Sequence, residues 1–186
     1  MQEALQNAID RLPELLVKYA PSMMRRIIAA MQEEITQRGQ LANPSYKTLL
    51  LKMSEADLVR EFEIAIKDAM QSVKSKPARQ DARADGPSLL LELFDEESAS
   101  LIADFRGSSD LFEALRGKAR KLGATGIDSF GKDAFLKALK AAFDKSRIEP
   151  EVMTDLMPYA RRALSGELLK VYGKLDALGA DAPTSR

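Results

Sequence analysis

Residues 54–74 read SEADLVREFEIAIKDAMQSVK, and this stretch decides the fold class. Ser54 followed three residues later by Asp57 is a helix-capping sequence, because a carboxylate at that position reaches back to the cap. Leu58, Phe62, Ala65, Ile66, Ala69 and Val73 then recur at spacings of three and four, which puts them on one face of a helix. Glu63 and Lys67 form an i,i+4 pair on the other face. The spacing predicts an amphipathic helix over 55–74.

The same period extends in both directions. Toward the N-terminus, Leu5, Ile9, Leu12, Leu16 and Tyr19 mark a helical run over 3–19. Pro13 lies inside it and either kinks that helix or opens a new one. Pro21-Ser22 reads as a stop and restart with Ser22 as N-cap, followed by a helix over 23–38 that carries Met24, Ile27, Ile28, Met31 and Ile35 and stops at Gly39. A short helix is expected after Asn43-Pro44, through Leu51.

Toward the C-terminus, residues 75–87 contain two prolines, one glycine and no large apolar side chain, the composition of a linker. Beyond it the pattern predicts a short buried element at 89–94, a helix over 96–106 capped by Asp95, and a break at Gly107-Ser108-Ser109. A helix over 110–122, a glycine-bearing loop over 123–131 and a helix over 132–145 follow. A last segment opens at Pro150 and is kinked or divided by Pro158. No alternating run carries a hairpin turn signal. The expectation is an all-α protein, an irregular helical bundle of about eight or nine helices. It is read either as one bundle or as two helical subdomains, 1–74 and 88–179, joined by the 75–87 linker and closed by a disordered tail over 180–186.

Composition narrows the chemistry. The chain has 186 residues, enough for one domain or two small ones, with 28 basic and 28 acidic side chains and a formal net charge of zero. Hydrophobic residues make up 45% and aromatics only 6%, so Leu, Ala, Met and Ile must do most of the packing. His, Cys and Trp are absent. That removes a Ser-His-Asp triad, an imidazole metal ligand, a thiol nucleophile, a thiolate zinc site and a disulfide framework. No run reaches the ~18 apolar residues of a membrane span. Met1-Gln2-Glu3-Ala4 does not read as the start of a secretory leader. The expected compartment is the cytoplasm, without membrane partners.

Four constellations bear on function. The acidic clusters Glu33-Glu34, Glu61/Glu63 and Asp95-Glu96-Glu97 could serve only an all-oxygen cation site. Neighbouring Glu side chains on a helix point apart, and the acids at 95–97 are accounted for by a helix N-terminus. No metal and no cofactor are therefore expected. Ser129-Phe130-Gly131-Lys132 has the S-x-x-K spacing of lysine-activated serine enzymes but lacks their companion motifs. A His- and Cys-independent enzyme is the least favoured of the readings, and no catalytic residue is assigned.

The same segment resembles part of a helix-hairpin-helix turn, in which backbone N–H groups meet phosphate. Around it lie Arg116, Lys118, Arg120, Lys121, Lys132, Lys137 and Lys140, the candidates for a nucleic-acid-binding patch over 116–140. Asp110, Glu113, Asp128 and Asp133 partly neutralise it. Finally, Met23-Met24-Arg25-Arg26 and Tyr159-Ala160-Arg161-Arg162 combine arginine with Met or Tyr, the composition of protein-interface hot spots. Met23, Met24, Arg25, Arg26, Tyr159, Arg161 and Arg162 are the protein-contact candidates.

The second half, through Leu91-Glu92-Leu93-Phe94-Asp95-Glu96-Glu97, Leu111, Leu115, Arg120-Lys121-Leu122 and the closing run Leu168 to Leu178, resembles an uncharacterised bacterial helical family. Members of that family are often mislabelled as thymidine phosphorylases, and some carry a PilZ cyclic-dinucleotide domain. The paired arginines and Asp/Asn-x-Ser-x-x-Gly of the PilZ motif are not in this sequence. The resemblance implies a bacterial adaptor or regulator and no catalytic residues. The leading expectation is a non-enzymatic adaptor or regulator that binds another protein, or itself, through amphipathic helical surfaces. Nucleic-acid binding is the alternative.

Overall fold

An apolar stripe that keeps its phase builds a continuous helix here even through proline. In the computed structural model, which describes residues 2–38, 44–74 and 99–180, helix α1 runs unbroken from Gln2–Arg38 with Pro13 and Pro21 inside it. Leu5, Ile9, Leu12, Leu16, Ala20, Met24, Ile27, Met31 and Ile35 follow one another at three- and four-residue steps, and all are buried. Apart from Ala20, each of these side chains contributes about 1.5–3 kcal/mol on burial. A proline inside a helix costs about 3 kcal/mol. The stripe outweighs both prolines, so α1 spans 37 residues, about 55 Å at 1.5 Å per residue.

The remaining helices obey the same rule. They are α2 (Pro44–Lys74), α3 (Ala99–Lys121), α4 (Lys132–Asp144) and α5 (Pro150–Ala180), with a 3-10 turn over Ile127–Phe130 before α4. The described residues thus hold five α-helices and no strand, an all-α fold with fewer and longer helices than the eight or nine expected. The difference has physical causes. Ser22 and Ser54, read as caps, lie inside α1 and α2, and Ser54 is buried in the stripe between Leu51 and Leu58. Pro158 lies inside α5, where buried Val152, Leu156, Ala160, Leu164, Leu168, Tyr172 and Leu175 continue in register past it.

Gly107-Ser108-Ser109, read as a break, is the middle of α3. Ser108 is fully buried; its Oγ meets the Phe105 carbonyl at 3.1 Å and Ser165 Oγ of α5 at 2.9 Å. The side chain of Leu169 lies 4.0 Å from where a Cβ on Gly107 would stand. The small residues are the seam along which α3 and α5 pack.

After α3 the chain turns through Gly123 and Gly126, both at positive φ (71° and 87°), a conformation that glycine adopts without steric cost. This is the loop expected over 123–131. Ala180, the first residue of the expected tail, is the last of α5; the elements read at 89–94, the Asp95 cap, the Gly39 stop, the 75–87 linker and residues 181–186 lie outside the described residues.

Helix α1 packs on α2 along one side and on α5 along the other, α2 also packs on α4, and α3 packs on α5. Residues 5–70 and 101–175 contribute to one apolar core. Polar ties join the same helices: Lys47 of α2 to Asp155 of α5, and Lys145, at the end of α4, to Glu61 of α2 at 3.0 Å. Lys118 of α3 reaches Asp176 of α5 at 3.0 Å.

Candidate functional site: a groove between the first and last helices

The seam between α1 and α5 does not close along its whole length. The small side chains of Ala4 and Ala8 precede Leu12, Leu15 and Leu16 on the α1 wall, and Val171 and Leu175 stand opposite on α5. Between them lies an open, predominantly apolar groove of about 550 Å³, within the size range of ligand sites. Leu12, Leu16 and Leu175 form its buried floor, whereas Leu15 on its edge is 56% exposed. The charged residues lining it are Arg11, Lys170 and Lys174, all cations.

One end is fixed by a polar cluster built on Glu167. This side chain is only 5% exposed, and its carboxylate accepts from Tyr19 Oη at 2.6 Å and from Lys170 Nζ at 2.5 Å. The Arg26 guanidinium donates to Tyr19 Oη at 2.5 Å, approaches Glu167 Oε2 at 3.4 Å, and sits 5.3 Å from the Tyr19 ring centroid. Burial pushes the Glu167 carboxyl up, but the hydrogen bonds from Lys170 and Tyr19 and the charges of Lys170 and Arg26 outweigh it. The group is held below the ordinary carboxylate range. Tyr19 moves the other way, raised by burial and by its bond to the charged Glu167, against Arg26. The cluster is a strap between α1 and α5 that keeps the groove walls in place.

The protein-contact candidates are divided by this arrangement. Met23 and Met24 are 1% and 0% exposed and belong to the core, since their positions fall on the continuous α1 stripe; they present no surface to a partner. Arg161 is likewise buried, at 3%, with Nη2 3.1 Å from Asp104 Oδ2 of α3. Arg162 lies 3.8 Å from the same carboxylate, donates to the Pro158 carbonyl at 3.2 Å and stacks on Tyr159 at 5.3 Å. These residues hold α5 to α3. Arg25 is exposed, and Arg26 belongs to the Glu167 strap. Arg26 therefore serves the α1–α5 seam and Arg161 with Arg162 the α3–α5 seam, while Arg25 faces solvent.

The nucleic-acid candidates are largely paired. Arg116 binds Asp128 and Glu113, Lys118 binds Asp176, Lys132 lies 3.0 Å from Asp133, and Lys140 lies 2.7 Å from Asp144. Arg120, Lys121 and Lys137 are exposed. The polar cavity of about 340 Å³ between α3 and the start of α4 is lined by Arg116 and Lys132 together with their own partners Asp128, Glu113 and Asp133.

Among the described residues no group of three acidic side chains is placed to hold a metal ion. No described helix is long and apolar enough to cross a membrane. Sequence reasoning passed over Leu15, Glu167, Lys170 and Lys174. The available signal was Leu15 itself, a large apolar residue beside Leu16 that falls off the buried stripe. In comparisons with known proteins, no family model, no curated protein and no solved structure matches this chain.

Proposed function

We propose that this protein is a non-enzymatic adaptor or regulator that binds a helical segment of another protein in the α1–α5 groove. The observation that carries this reading is the groove itself: an open apolar furrow with an exposed leucine on its edge, strapped at one end by an ionic cluster on the buried Glu167. Along α1 the lining runs from Ala4 to Tyr19, about 22 Å at the helical rise. The α5 wall, from Lys170 to Leu175, is shorter, about 8 Å, so both walls together grip one to two turns of a docked amphipathic helix while the α1 wall runs on beneath it.

The test is site-directed photo-crosslinking in lysate of the source organism. A photoreactive residue replacing Leu15 is compared with one replacing Met53, which is 73% exposed on α2. The reading expects a discrete, nuclease-resistant adduct from position 15 and none from position 53. Equal labelling from both positions, or adducts lost on nuclease treatment, would contradict it.

A further inference from the structure

Resting on that reading, we infer that the groove selects an acidic amphipathic helix, one whose apolar face is flanked by Asp or Glu. Three observations carry the inference. The groove lining contains cations on both walls, Arg11 on α1 and Lys170 with Lys174 on α5, and no carboxylate. Lys170 is already committed to Glu167, whose own burial places that carboxylate out of a partner's reach. Arg11 and Lys174 make no ion pair among the described residues, which leaves them for incoming carboxylates.

Their placement on opposite walls matters. A single headgroup on an acyl chain concentrates its charge at one point. An amphipathic helix lying in the furrow carries polar residues along both flanks of its apolar stripe and meets both walls at once. The formal net charge of the chain is zero, so the molecule as a whole has no general attraction for acidic ligands. A preference for acid in this groove therefore comes from the groove's own rim, apart from the exposed Arg120, Lys121 and Lys137. Apolar burial on the groove floor supplies affinity, and the rim charges supply selection.

The experiment is fluorescence anisotropy of the full chain at physiological salt. Two labelled synthetic helices of about 15 residues share one leucine stripe; one carries Glu on its flanks and the other Lys. Laurate, competed against a fluorescent fatty acid, is the third probe. The Glu helix is expected to bind, and the Lys helix to bind at least about tenfold more weakly. Arg11→Glu with Lys174→Glu should invert that preference, and Leu15→Asp should abolish binding of the Glu helix. All three positions are exposed, so unchanged thermal unfolding shows that the fold is intact.

Equal binding of the two helices, with both lost in Leu15→Asp, would overturn the acid preference and leave the groove reading standing. Failure of both helices, with or without laurate binding, would overturn both. Binding of the Glu helix that ignores all the groove variants would also overturn both.

Discussion

Glu167 is a carboxylate almost removed from water, yet it stays ionised because Lys170, Tyr19 and Arg26 together supply more than burial takes away. The sign of its effect on stability follows. Its folded pKa lies below the unfolded value, so its contribution is complete above the ordinary carboxylate range and is lost as pH falls through the lowered value. Glu167→Gln keeps the shape but removes the charge that holds Tyr19 and Lys170. It should cost on the order of 1–2 kcal/mol at neutral pH. Urea midpoints followed from neutral to acidic pH should converge for the two proteins as the native carboxyl protonates. Curves that stay parallel throughout would show that Glu167 does not carry this linkage.

Among the helices, α1 tests the argument that stripe continuity overrides breaker residues. Pro21 withholds an N–H from the Val17 carbonyl and is only partly buried. Pro21→Ala restores that hydrogen bond and raises helix propensity, against a smaller gain in unfolded-chain entropy. The expected result is a gain of about 1–2 kcal/mol, read as a rise of a few degrees in Tm. A fall in Tm would show that the proline's local geometry is needed by the packing of α1 on α2 and α5.

The same helix explains what was legible in the sequence. The apolar positions of α1, α2, α3 and α5 were readable from their spacing, and so was the helical class. So were the outer ends at 38, 74, 121, 132–144 and Pro150, which agree within a residue; the breaks expected inside the long helices are not there. Pro13, Pro21, Ser22, Ser54, Gly107 and Pro158 each carry a local signal that competes with the helix. That signal loses to the summed burial of ten or so side chains, a quantity visible only when the phase of the stripe is followed across the breaker. Gly107 and Ser108 show the point most clearly, because their small size is used between helices rather than to end one.

For the whole molecule, the groove exists because α1, packed on both α2 and α5, does not close on α5 along Ala4 to Tyr19. The Met-Arg and Tyr-Arg pairs that drew attention in the sequence are spent on holding the bundle together: Met23 and Met24 in the core, Arg161 and Arg162 on Asp104. Composition cannot tell an interface hot spot from an intramolecular seam, since both want an arginine beside apolar surface. The groove residues come from positions about 150 apart in the chain, so their meeting was not readable from local spacing. The most direct test of the central claim is a methyl-resolved NMR titration of the full chain with the Glu-flanked helix. Shifts should cluster at Leu12, Leu15, Leu16, Val171 and Leu175, leaving the exposed Leu49 and Ile64 of α2 unmoved. Shifts centred on α2, or none at saturating peptide, would contradict the assignment of the α1–α5 groove as the binding site.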